Sequence, residues 1–403
     1  MGNFTFFANK SIEKPRGGGL FLVSVLLLWG LGIFTLFICS TNTALRIFGN
    51  KYYFVIRQLV WSGVGLLAMA FISLMPLKLI RKSLPLLVFV SLILCLLTHI
   101  PGIGVSLNGA PRWIKIPFIG TIQPSEIVKF VMVLFLANLF EKYSRDEEMY
   151  HEEFLYPLIG LIVFVGVVFL QKDFSTGVFI FVVGSLMFFV TGANMKWFLP
   201  LFVLGIIAAV IMICLEEYRL NRVMAFFKPE DYALSIGYQQ MRSRMAITSG
   251  GLLGNGMGSG MKYVNSIPEI QADYIFAGWT NIMGLLGVCA YFIVLIFFAC
   301  QGYKIAFTGL SRFASYSAFG CTTLVFLQSL VNVAVVCGAL PATGIPLPFF
   351  SSGGSAQFMT FVMCGLILNA SHAEAEDDEF EIYSEDSDIS KIESFNGVVV
   401  ENE

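Results

Sequence analysis

Ten apolar stretches alternate with short polar connections along the chain, each close to the roughly 20 residues that a helix needs to cross a hydrocarbon core of about 30 Å. They fall near Leu20–Cys39, Phe54–Met75, Leu84–Ile100, Ser125–Phe140, Phe154–Leu170, Thr176–Val190, Trp197–Leu215, Ile275–Cys300, Phe313–Val336 and Gln357–Asn369. This pattern predicts an all-α polytopic membrane protein of about ten transmembrane helices, with a large loop, Glu216–Tyr274, between the seventh and the eighth. The first stretch follows Lys10, Lys14 and Arg16 as a signal peptide would. It is long and lacks a small-residue cleavage pattern, so it reads as a spanning helix.

Basic residues in short loops set the orientation of such a chain. The N-terminal side collects Lys10, Lys14, Arg16, Lys78, Arg81, Lys82, Lys142, Arg145, Lys196, Lys304 and Arg312, against Arg46, Lys51, Arg112, Lys115 and Lys172 opposite. Both termini are therefore expected in the cytoplasm, with the large loop facing outward. The expected division is a cytoplasmic segment over 1–19, a membrane domain over 20–370 and a tail over 371–403.

Composition agrees: 57% hydrophobic, 15% aromatic and 13% charged residues over 403 positions exclude an ordinary soluble domain. The net charge of −2 hides an asymmetry, because the segment after Asn369 holds 12 of the 27 acids and one of the 25 bases. The rest carries 24 bases against 15 acids, +9 in all. The tail is acidic and aperiodic, which predicts a disordered cytoplasmic extension. The eight cysteines lie in or beside apolar runs without CxxC spacing, and the three histidines are scattered, so neither a disulfide framework nor a His-based metal centre is indicated. The candidate chemistry thus rests on carboxylates assisted by Lys and Arg.

Four constellations carry such groups. In "QPSEIVKF", Glu126 and Lys129 stand three apart on one helix face, an ion pair that either fixes packing or binds an anionic group. In "LQKDFSTGVF", Asp173 either caps the next helix or lines an outward cavity. "SGGLLGNGMGSGMK" offers backbone N–H groups and Lys262 to a phosphate, though it matches no Walker spacing and suits a flexible or re-entrant turn equally. "GALPATGIPLPFFSSGGS" breaks helical hydrogen bonding with proline and glycine, as a broken helix at a cavity wall or a plain turn would. Before the eighth run, "SIPEIQADYIFAGW" places Glu269 and Asp273 at the mouth of a hydrophobic span. There they either interact with the helix dipole or do chemistry.

Taken together, "RWIKI…IQPSEIVKF", "QKDFSTG", "YQQMRSRMAITSGGLLGNGMGSGMKY", "IPEIQADYIFA…MGLLG" and "LPATGIPLPFFSSGGS" resemble the SEDS family of RodA and FtsW type, in its order, over most of Arg112 to Gln357. The resemblance implies a peptidoglycan glycosyltransferase that polymerises lipid II on the outer face of the bacterial cytoplasmic (inner) membrane. It places Asp273 on the family's essential carboxylate, Glu126 and Lys129 on its "QPSE..K" residues and Asp173 on the acid of its "QPDLG" motif. Expected partners are a class B penicillin-binding protein transpeptidase, other elongation or division proteins, and membrane lipids; nucleic acid is not expected. The sequence departs from the pattern at Ala272, at Thr280 and Asn281, at Thr121 and at Ser351–Ser355.

The chemistry is coherent with these groups. Pyrophosphate departs without protonation, so a single base suffices where glycoside hydrolysis uses two carboxylates. Asp273 is assigned as that base, acting on the acceptor 4-hydroxyl with inversion at the donor carbon. Cations must stabilise the leaving group, and the candidates are Lys129, Arg112, Lys115, Lys262, Arg242 and Arg244. No cofactor is required, although a divalent ion is an alternative source of charge. Two rival readings use the same features: a flippase for a lipid-linked precursor, and a non-catalytic scaffold of a cell-wall synthesis complex.

Overall fold

The computed structural model describes residues 18–107, 110–117, 120–145, 155–192, 195–214, 216–228, 230–232, 237–259 and 261–372. The segment through residue 17 and nearly all of the acidic tail lie outside the described residues.

The first three helices are α1 (Gly18–Phe48), α2 (Tyr53–Leu74) and α3 (Leu77–Leu97). A small antiparallel sheet follows, β1 (Gly104–Leu107), β2 (Ala110–Ile116) and β3 (Gly120–Ile122), in that spatial order. Next come α4 (Pro124–Arg145), α5 (Leu155–Leu170), α6 (Phe174–Val190) and α7 (Met195–Cys214). The chain then forms four shorter helices, α8 (Glu217–Phe227), α9 (Tyr238–Gly250), α10 (Gly256–Ser259) and α11 (Met261–Val264). It ends with α12 (Ile275–Thr308), α13 (Arg312–Val336) and α14 (Gly354–Ala370). Each of the ten apolar stretches overlaps a helix. Helices α1, α2, α3, α12 and α13 are long and apolar enough to cross a membrane; α5, α6, α14 and the Phe202–Cys214 part of α7 are shorter apolar helices.

Packing explains two departures from the apolar pattern. α3 begins seven residues before Leu84, through Lys78, Arg81 and Lys82, because Arg81 pairs with Glu141 of α4 and lies over the ring of Phe313. Those partners offset the cost of carrying cations into the helix start. The span between α7 and α12, predicted as a loop, contains α8 to α11 instead. α9 is held to the end of α13: Gln240 donates to the Leu340 carbonyl, Ser243 to that of Val336 and Arg244 to that of Gly338.

The glycine-rich segment after α9 is a backbone splint. α12 is bent at Gly284, whose φ of 62° and ψ of −163° suit glycine alone. The carbonyls of Gly251 and Leu252 accept from the amides of Leu285 and Leu286, and the Asn255 amide donates to the Asn281 carbonyl, which replaces helical bonds lost at the bend. Asn281 adds side-chain bonds to the Ala246 carbonyl and the Ser249 hydroxyl. A Cβ on Gly284 would stand 2.3 Å from the Gly254 nitrogen. Gly284→Ala is therefore expected to cost roughly 2–4 kcal/mol through strain and displaced backbone. A thermal melt of the purified protein in detergent checks this, and an unchanged midpoint would refute the close-contact account.

One end of the helical body collects the sheet, the α5–α6 turn, α8 to α11 and the irregular segment between α13 and α14. Cross-links between these elements fix the arrangement. Arg112 donates to the Lys172 carbonyl, Arg222 to that of Ala342, and the Ser352 amide to that of Gln271.

Candidate functional site

α4 starts at Pro124, which needs no amide partner at a helix's first position, and its first turns bring Glu126 and Lys129 inward. Both are almost fully buried, at 3% and 1% exposure. Lys129 Nζ lies 2.8 Å from both carboxylate oxygens of Glu126 and donates at 2.8 Å to Gln328 Oε1 on α13. The Phe179 ring is 5.8 Å from the same ammonium. Gln328 passes the connection on by donating to the Pro346 carbonyl at 2.9 Å.

One turn further along α13, Asn332 Nδ2 donates to the Ile345 carbonyl at 2.9 Å and to the Asp273 carbonyl at 2.8 Å. Gln328 and Asn332, four residues apart and hence on one helix face, bind the irregular segment after α13 and the backbone of the candidate base together. This segment holds no helix between α13 and α14, turns at 348–350 and walls both cavities of the site. Residues 341–347 carry no regular secondary structure, with Gly344 at φ 74°, and the carbonyls of Ala342, Ile345 and Pro346 accept from Arg222, Asn332 and Gln328, as non-helical backbone at membrane depth requires.

Asp173 does not cap α6, since its side chain makes no bond to the helix start. Its carboxylate instead faces Arg112 Nη1 at 3.6 Å and accepts from Gln123 at 3.2 Å and Ser125 at 3.4 Å. Capping fails because Lys172, at φ 56°, turns the chain so that the carboxylate points to the sheet and α4.

Two adjoining cavities result. A small polar one of about 70 Å³ is lined by Gln123, Glu126, Lys129, Asp173, Arg112 and Gly344, among others. A larger one of about 320 Å³ is walled by Phe174, Val178, Ile213, Val331 and other apolar groups, with Arg112, Lys172, Arg219 and Arg222 also facing it. Arg112, Phe179 and Ile345 belong to both. Asp273 stands beside them: a Cβ on Gly344 would lie 3.9 Å from its Oδ2. Asp273 is half-buried, and loss of hydration pushes its carboxyl up to about 6; its own backbone hydrogen bond and the nearby Arg222 oppose the rise, and Glu269 adds to it.

Of the residues singled out from sequence, Glu126, Lys129, Asp173 and Arg112 thus meet, with Asp273 adjacent. The others line neither cavity, although Glu269 is near enough to Asp273 to act on its carboxyl. Lys115, Lys262 and Glu269 are exposed, the last at φ 48°. Arg242 lies over the Tyr238 ring, and Arg244 is bound to Gly338. Sequence reasoning passed over Arg219, Arg222, Gln328 and Asn332. The first two carry a signal, two cations three apart on an amphipathic helix; amides within an apolar run carry none.

The fold and the site define a membrane-embedded, mostly helical protein with an ionisable cluster at one end. A family model described as "Cell cycle protein", FTSW_RODA_SPOVE, matches residues 19–376, and the chain belongs to that family. It is 31% identical over 353 residues to a probable peptidoglycan glycosyltransferase FtsW of Borreliella burgdorferi, covering 87% of this chain and 95% of that one. It is 30% identical over 360 residues to stage V sporulation protein E of Bacillus subtilis, covering 89% and 98%. Among solved structures, a chain of a peptidoglycan synthase complex that coordinates polymerization and crosslinking superposes with a TM-score of 0.72 at 23% identity, over 89% of this chain and 98% of that one. The rod shape determining protein RodA of Thermus thermophilus gives 0.66 at 21%, over 89% and 97%. These structural likenesses establish the fold. The protein is accordingly a multi-pass membrane protein of the SEDS type.

Proposed function

We propose that the protein is a peptidoglycan glycosyltransferase that polymerises lipid II, using Asp273 as general base and a polyprenyl pyrophosphate as leaving group. The observation that carries this reading is a half-buried carboxylate of raised basicity beside a cation-bearing apolar cavity. The apolar walls suit the prenyl chain, and the polar cavity around Glu126, Lys129, Asp173 and Arg112 suits sugar hydroxyls and phosphate oxygens. Asp273 takes the proton of the acceptor 4-hydroxyl as that oxygen bonds to the donor anomeric carbon. The carbon–phosphate bond breaks, and the pyrophosphate leaves with the electron pair, its charge balanced by the cations. A divalent ion could share that balancing.

About ten transmembrane helices over 20–370, both termini in the cytoplasm, and a site at the outer face of the bacterial inner membrane complete the proposal. A class B penicillin-binding protein would then cross-link the strands this protein makes. The deciding experiment supplies lipid II to the purified protein in liposomes, with and without such a transpeptidase, and reads glycan length on gels. Long glycan is expected. Translocated lipid with no glycan would favour a flippase, and partner binding with neither product would favour a scaffold.

The proposed base sets a pH profile. Asp273 acts only when deprotonated, so kcat/KM should climb about tenfold per pH unit below 6 and level off above it. Initial rates of lipid II consumption across pH 4.5–8 check this; a rate that fell as pH rose through 6 would make the group a proton donor instead.

A further inference from the structure

α8 crosses beside the larger cavity and directs Arg219 and Arg222 to it. The two are three residues apart, on one helix face and separated by about 4.5 Å of rise. Among the described residues no carboxylate lines this cavity, and neither arginine pairs with an acid within ion-pair distance. Both are held in place while keeping donors free. Arg219 donates Nη1 to the Met212 carbonyl at 2.9 Å and lies 5.1 Å from the Phe174 ring centre. Arg222 donates to the Ala342 carbonyl at 3.1 Å and to the Tyr218 hydroxyl at 2.6 Å. A guanidinium has five N–H donors, so each retains several for a ligand.

We infer that Arg219 and Arg222 form a two-phosphate clamp that makes this site select polyprenyl pyrophosphates over polyprenyl monophosphates; this rests on the lipid-linked reading of the cavity. Guanidinium groups bind phosphate oxygens in forked pairs. Two of them anchored three residues apart on one helix can each take a phosphate of a linked pair, whereas a monophosphate fully engages one and leaves the free donors of the other without an anion. The apolar walls favour the prenyl chain in both cases, so discrimination falls to the head group. The clamp also connects to the chemistry. Arg222 favours the charged form of Asp273, and a pyrophosphate that occupies Arg222 withdraws that support, making Asp273 a stronger base as the donor arrives.

The test titrates the full-length protein in detergent micelles with undecaprenyl pyrophosphate and with undecaprenyl monophosphate, reading bound lipid by native mass spectrometry. Wild type is expected to prefer the pyrophosphate at least tenfold, about 1.4 kcal/mol. Arg219→Gln with Arg222→Gln should bring the two lipids level, and the double lysine variant should keep part of the preference. Equal binding by wild type overturns the inference, as does a glutamine variant that keeps the preference or weakens a zwitterionic phospholipid just as much. The failures are separable. Selective binding without glycan from lipid II defeats the polymerase reading and leaves the clamp; glycan without selectivity does the reverse.

Discussion

Asp273→Asn is expected to abolish glycan synthesis while leaving the protein folded. A positioned general base contributes roughly 10²–10⁴-fold to rate, and the amide keeps the shape of the side chain but accepts no proton. Single-turnover consumption of lipid II should fall by that factor. Stability should move the other way. The carboxyl is raised from an ordinary 3.8 to about 6, so the folded state binds the proton more tightly than the unfolded chain does. That contribution to stability is complete below about pH 3.8 and is lost as pH rises through about 6. At pH 7.5 the wild type therefore holds an ionised carboxylate in a setting that disfavours it, and the uncharged amide removes the conflict. The melting midpoint of Asp273→Asn at pH 7.5 should equal or exceed that of wild type. A variant that lost activity through misfolding would melt lower, and one that kept wild-type turnover would remove Asp273 from the mechanism.

The amide–carbonyl ties explain why the base is held so firmly without being enclosed. Asn332 binds the backbone of Asp273, not its carboxylate, so it ties down the chain without occupying the reacting oxygens. Gln328, one turn away, connects the same segment to Lys129 and Glu126. The candidate base and the buried pair are thus set by one face of α13, which packs against α4, α6, α12 and α14. Placing reactive groups on helices held by packing, with the mobile alternatives restrained by side-chain hydrogen bonds, is the usual way to keep catalytic geometry constant.

Much of this was legible in sequence wherever a local rule applied. Apolar length located the helices, and the i,i+3 spacing of Glu126 and Lys129 gave their pairing. What escaped depended on distant partners. Asp173 had every local feature of a cap, yet Arg112, some 60 residues earlier, holds it elsewhere. The glycine-rich stretch looked suited to phosphate because glycine exposes backbone N–H groups. Its backbone is instead committed to the bend at Gly284, which no periodicity reveals. α8 escaped because Glu217, Arg219 and Arg222 interrupt its apolar residues, so no run of spanning length marks it, and with it went Arg219 and Arg222.

Lys129→Met should be the most destabilising change at the site. It removes the partner of a carboxylate that is 3% exposed and leaves Gln328 Oε1 without its donor. Breaking a buried ion pair from one side costs roughly 3–5 kcal/mol, because the remaining charge is left desolvated. At roughly 2–4 °C per kcal/mol, the melting midpoint in detergent should fall by about 6–20 °C. Adding Glu126→Gln removes the stranded charge and should restore most of that loss, since a neutral pair in the same space carries no comparable desolvation penalty. Activity separates structure from chemistry here. If the pair only secures α4 to α13, the double variant should regain glycan synthesis along with its stability. The proposed reading requires the opposite, since Lys129 lines the polar cavity proposed to receive the donor's sugar hydroxyls beside its phosphates. A stable double variant with turnover still reduced at least 100-fold, in the range seen when one charge-stabilising donor is removed, would assign the pair to the reaction.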